Sequence, residues 1–160
     1  MMMNNGYFYF PRPGNEPVLS YGPGSPERAA LQNELKQLKS APPDIPMYIG
    51  ADEARPGKAL PIYAPHELSR VLGYYHKGGK KEVAGAIAAA LAARTGWAAT
   101  SWEHRASVFL KAAELLSTRY RYLTNAATML GQSKSVYQAE IDCVCELIDF
   151  FRFNVHFLSE

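Results

Sequence analysis

The chain has 160 residues, enough for one domain with a core of its own, and 48% hydrophobic with 20% charged residues is the balance of an ordinary globular protein. A net charge of +2, with Lys and Arg scattered beside acids, gives no basic stripe for nucleic acid. The Ala-rich run 83–93 is too short to span a bilayer and is flanked by charges, so the chain reads as soluble.

Residues 1–24 hold Tyr7, Phe8, Tyr9 and Phe10 and then Pro11, Pro13, Gly14, Pro17, Gly22, Pro23 and Gly24. The prolines and glycines forbid a helix, which predicts an extended arm lying on a surface. The stretch has neither a secretory signal's charged and apolar regions nor the Arg/Ser-rich look of a transit peptide. Ser25-Pro26-Glu27 opens a helix over 25–40, with Leu31, Leu35 and Leu38 on one face and Pro42-Pro43 as the stop. From 46 to 76 the period changes. Met47-Tyr48-Ile49, Leu60 to Tyr63 and Arg70 to Tyr75 are strand candidates, and turn residues between them predict a small antiparallel β unit.

Beyond Gly78-Gly79 the chain reads as helices over 80–160. Val83, Ile87, Leu91 and Arg94 set the first, with Gly96 as its closing residue. Thr100 to Glu103 fits a capping box for the second, predicted to bury Val108, Ala112 and Leu115 with Phe109 and Leu116 beside them. A short third runs over 119–130 with Gly131 as its cap. Ser135 to Gln138 is a second capping box, opening the last helix.

Few residues offer chemistry. His66, His76, His104 and His156 lack metal-binding spacing and read as solvated or locally bonded. Cys143 and Cys145 point about 200° apart around a helix, so they cannot pair with each other, and they read as small buried residues. Gly22-Pro23-Gly24 precedes a helix but follows no strand and carries proline, which excludes a phosphate cradle. On the last helix Asp142, Glu146 and Asp149 share a stripe at i, i+4, i+7, beside an apolar stripe of Ile141, Val144, Ile148, Phe151 and Val155. By spacing alone the acids are a solvated face, with Asp149 and Arg152 as an i, i+3 pair.

The run Arg105 to Ser117, with its Phe109-Leu110-Lys111-Ala112-Ala113 core, resembles a helix of aldehyde dehydrogenases. Asn125 to Lys134, Gln138 to Asp142 and Glu146-Leu147-Ile148-Asp149-Phe150-Phe151-Arg152-Phe153-Asn154 are similar to one branch, the L-glutamate γ-semialdehyde (1-pyrroline-5-carboxylate) dehydrogenases of proline catabolism. Asn15 to Leu19 and Gly24 to Arg28 fit the same branch, so the likeness covers roughly residues 15–160.

The resemblance implies a mainly α chain with a small antiparallel β unit, the N-terminal fragment of an α/β aldehyde dehydrogenase fold lacking the Rossmann core. It implies NAD as the cofactor of the full-length family, but the family chain is much longer. Its catalytic cysteine, water-activating glutamate, oxyanion asparagine and cofactor units match nothing in these residues. No catalytic, cofactor-binding or metal-binding residue is carried over, and the chain is expected to be inactive alone. One substrate-binding position is: Glu146, which in this branch contacts the amino-acid end of the substrate. The implied partners are the remainder of the dehydrogenase or a full-length homologue, in a family that is homo-oligomeric. The implied compartment is the mitochondrial matrix in a eukaryote. The alternative is a non-catalytic interaction module that docks on a homologue or on the missing half.

Overall fold

The computed structural model describes residues 9–160. The aromatic residues Tyr7 and Phe8 of the expected arm lie outside the described residues. Residues 9–22 carry no regular secondary structure, as their prolines and glycines require. Helix α1 follows at Pro26–Ser40, with Ser25 as N-cap accepting from the Arg28 N–H and Pro26 in the first turn.

Five short strands come next: β1 Asp44–Ile45, β2 Met47–Ile49, β3 Asp52–Ala54, β4 Ala59–Ala64 and β5 Glu67–His76. β2 and β3 form an antiparallel hairpin around Gly50, whose φ of +65° suits glycine. β4 and β5 form a second hairpin, and β1 adds to β5 in parallel. The unit is therefore not purely antiparallel, and the acidic strand β3 is an addition to the sequence expectation. The parallel edge is made by the backbone: Tyr74 N–H donates to Pro43 O at 2.8 Å. Gly73 lets the strands approach, since a Cβ there would sit 2.9 Å from that carbonyl oxygen.

Helix α2, Lys80–Ala99, runs straight through Gly96 and ends at Thr100. Gly96 is an interior residue, because nothing there demands the left-handed conformation that makes glycine a stop. Helix α3, Trp102–Ser117, is capped by Ser101, whose side chain accepts from the His104 N–H. The cap is thus one residue later than the Thr100 box. The buried face moves too: Ala106 and Ala113 are inside, while Val108 and Phe109 are exposed. Close helix crossing selects the small residues over the larger ones. Helix α4 is Arg121–Gln132, with Gly131 inside it and Ser133 in the left-handed region as its cap.

Ser135 opens the last helical stretch with the reciprocal capping box the sequence predicts: its side chain accepts from the Gln138 N–H, and its own N–H donates to Gln138 Oε1 at 2.9 Å. The stretch is not uniformly α. It comprises α5 Val136–Ala139, a π-helical turn Glu140–Cys145 and α6 Glu146–Leu158. Two apolar clusters hold the helices together. Tyr21, Leu31 and Ala126 join the arm, α1 and α4, while Ala113, Val144 and Ile148 join α3 to the last helix. Among the described residues no helix is long and apolar enough to cross a membrane.

Candidate functional site

The arm is fastened to α4 and the last helix by buried charge. Glu140, in the first position of the π turn, is fully buried. Its carboxylate accepts from the Leu19 N–H at 2.9 Å, Tyr21 OH at 2.7 Å, Asn125 Nδ2 at 2.6 Å and the Arg121 guanidinium. Arg121 also donates to Pro17 O and to Glu16 Oε1. Burial works against the charged carboxylate, but these donors overcome it and hold Glu140 below the usual carboxylate range. Burial likewise opposes the charge on Arg121, and its bonds to Glu140 and Glu16 outweigh that and hold it firmly protonated. Burial first, then the hydrogen bond to Glu140 and its charge, push the Tyr21 hydroxyl upward. Tyr21 stands at φ 53°, a costly conformation for a bulky residue, held by these bonds and by its edge-on contact with Tyr122.

A second layer lies nearer the surface. Arg152 Nη1 donates to Glu16 Oε2 at 2.6 Å. Asp149 accepts from Asn15 Nδ2 and from the Glu16 N–H, each at 2.7 Å. The sequence expectation of an Asp149–Arg152 pair is therefore replaced by two separate links to the arm. The arm's backbone N–H groups and Glu16 are better partners because the arm has no sheet or helix to satisfy them.

Between arm and helix runs a groove of about 460 Å³. Asn15, Glu16 and Val18 form one wall; Glu146, Asp149, Phe150 and Phe153 form the other, over a floor of Ile141 and Cys145. Glu146 is exposed at this groove, and no ion pair reaches it among the described residues. The three acids of the expected stripe have separated. Asp142 turns to Lys134 at 3.2 Å, Asp149 clasps the arm, and Glu146 lines the groove. The wider π turn rotates the residues beyond it by up to about 100° relative to a continuous α-helix, which parts Asp142 from the other two, while Glu146 and Asp149 keep helical spacing and share the groove. The apolar stripe survives better, with Val144, Ile148 and Val155 buried.

The cysteines do not suit nucleophilic work here. Cys145 is buried, and burial together with the Glu140 charge pushes its thiol up to about 11. Cys143 accepts from Thr128 Oγ1 at 3.2 Å. Three histidines bond to residues distant in sequence rather than only to local ones: His66 to Ser133, His76 to Asp44, and His156 to Phe10 O. The Gly22 to Gly24 turn meets no strand among the described residues, and the first-turn N–H of Arg28 is already taken by Ser25 Oγ. That turn does not fit a pyrophosphate, so no step through NAD is assigned to these residues.

Sequence reasoning missed Glu140, Arg121 and Glu16. A signal existed for the first: Glu140, Val144 and Ile148 recur at i, i+4, i+8, which puts a carboxylate on the buried face. Nothing local marks the other two, whose partners lie 19 to 136 residues away.

The pattern of the aldehyde dehydrogenase family matches residues 52–160. A relative from Agaricus bisporus named delta-1-pyrroline-5-carboxylate dehydrogenase is 47% identical over 154 residues, which is 96% of this chain and 28% of that protein. A Bos taurus relative of the same name, designated mitochondrial, is 46% identical over 91% of this chain and 26% of its own length. The crystal structure of the Mycobacterium tuberculosis delta-pyrroline-5-carboxylate dehydrogenase bound with NAD superposes with a TM-score of 0.94 at 46% identity, covering 98% of this chain and 29% of that one. The chain thus spans a little over a quarter of the length of the relatives it matches, and over that span it belongs to the aldehyde dehydrogenase family.

Proposed function

We propose that these residues form the N-terminal part of an NAD-dependent dehydrogenase that oxidises glutamate γ-semialdehyde, the open form of pyrroline-5-carboxylate, to glutamate. In this reading they supply one wall of the substrate site. Glu146 faces the α-ammonium group and selects an amino-acid aldehyde over a plain one. The nucleophile, the base and the NAD site belong to the remainder of the enzyme. The observation that carries the reading is the position of Glu146: an exposed carboxylate in a largely apolar groove, on a chain 46% identical to an NAD-bound enzyme of that name. The buried Cys145 thiol supports placing the nucleophile elsewhere. In a eukaryotic cell the names of the relatives point to the mitochondrion.

Two measurements test this. The purified chain, given pyrroline-5-carboxylate and NAD, should produce no NADH; saturable turnover would refute the division of labour. Joined to the remaining portion of the Agaricus bisporus relative, the enzyme should turn over, and Glu146→Ala should cost about tenfold or more in kcat/KM for the amino-acid aldehyde, the value of one charge-assisted hydrogen bond. An equal loss for propionaldehyde would remove Glu146 from substrate selection.

A second reading, an interaction module docking on the missing half or on a homologue, is favoured by α2. Its twenty residues include none that is buried, and Val83, Ile87 and Leu91 are 58%, 57% and 62% exposed. A row of aliphatic residues at helical spacing is surface built to be covered.

A further inference from the structure

Three carboxylates wall the groove, those of Glu16, Glu146 and Asp149. Arg152 stands on the same helix, three residues beyond Asp149, and lines a separate cleft beside Phe10 and Leu110 rather than this groove. Helical spacing alone would turn it to Asp149, neutralising the site from inside. It turns to Glu16 Oε2 instead, at 2.6 Å, while Glu16 Oε1 accepts from Arg121. The Glu16 side chain is 9% exposed, so both its oxygens are committed to guanidinium groups in a place nearly shut off from water. Asp149 is occupied by Asn15 and the Glu16 N–H. What remains facing the groove without a counter-charge, among the described residues, is Glu146.

We propose that Glu16 is a specificity-determining residue: by holding Arg152 against the arm it keeps that guanidinium out of the groove and leaves the Glu146 charge for a small organic ammonium group. The proposal rests on Glu146 as the ammonium-facing carboxylate. It adds a residue that touches no ligand charge itself and acts through Arg152. Loss of the Glu16 carboxylate releases Arg152 to pair with Asp149, its i, i+3 neighbour on the groove wall, and a cation brought to the edge of the site repels an incoming one.

The test uses the 160-residue chain, with propylammonium as probe and the backbone NMR shifts of Glu146 and Phe150 as readout. Glu16→Gln should weaken probe binding about three- to tenfold, the range for one added charge at a partly screened site. A crystal structure of that variant should show the Arg152 guanidinium on Asp149. The double variant Glu16→Gln/Arg152→Gln should regain wild-type affinity, which a merely structural role for Glu16 would not produce. Arg152→Gln alone should bind the probe at least as well as wild type, and this arm stands even where Glu16→Gln fails to fold. Unchanged affinity in Glu16→Gln, no recovery in the double variant, or weaker binding by Arg152→Gln would each overturn the proposal. Should the wild-type chain bind no propylammonium, the reading of Glu146 fails by itself. The place of Arg152 in Glu16→Gln then decides: on Asp149 upholds the role of Glu16, still on the arm refutes it.

Discussion

Glu140 is where the arm, α4 and the last helix converge, and its charge is what holds them. Its carboxyl is depressed below the ordinary value of 4.5, so its contribution to stability is full above that pH and is lost as pH falls through the lower folded-state value. Glu140→Gln keeps the shape but removes the charge facing Arg121. Arg121 retains Glu16 and Pro17 O, so we expect a loss of about 2–3 kcal/mol at pH 7 rather than the larger cost of a fully orphaned buried ion. Below about pH 4.5 the gap between variant and wild type should narrow, because the unfolded chain's carboxyl takes up a proton there while the folded one still resists it. Urea unfolding at pH 7 and pH 3.5 measures both; a gap that stays constant with pH would mean that Glu140 acts through packing alone.

The helices were largely legible in the sequence, and their ends were not. The Ser25 cap and the Ser135 box stand where the pattern puts them, because a cap is a local bond between residues three apart. The predicted stops at Gly96 and Gly131 failed for the opposite reason: a glycine ends a helix only where the chain needs a left-handed turn, and tertiary context puts that turn at Ser133 and none at Gly96. This difference can be measured. Gly96 has ordinary helical geometry and nothing within 4 Å of a would-be Cβ. Gly96→Ala should therefore stabilise the chain by about 0.5–1 kcal/mol, read as a rise in Tm. A fall in Tm would restore Gly96 as a cap. The π turn was invisible because six residues of ordinary helical composition, Glu140–Cys145, give no local cue to an added residue in the turn. It takes in Asp142, whereas Glu146 and Asp149 stay together on α6 and both line the groove.

Across the whole molecule the chain has two faces of different quality. The arm, α1, α3, α4 and the last helix enclose both apolar clusters and the buried charges. The side formed by α2 buries nothing, and the strands add Tyr63, Leu68, Tyr74 and Tyr75 to the exposed apolar surface. The sequence announced this helix clearly by period, but periodicity says only that a face is apolar, not whether the same molecule covers it. The isolated chain should bind a hydrophobic dye strongly and self-associate with rising concentration. Adding the remaining portion of a relative should suppress both, and a dye-silent, monodisperse monomer at all concentrations would rule out α2 as a docking face.

The arm has one further consequence, in time rather than in space. It joins no sheet, and what fixes it is side chains from the far end of the chain: Tyr21 meets Glu140 across 119 positions, and Glu16 meets Arg152 across 136. During synthesis it precedes these partners, so its links to Glu140, Asp149 and Arg152 wait until the last helix has left the ribosome. Closing so long a loop costs little more free energy than closing one half its length, but the search for it is slow. The groove that the arm walls is completed only when it meets that helix. A nascent chain stopped anywhere before residue 140 has the arm's sequence, α1 and the strands, and no groove at all.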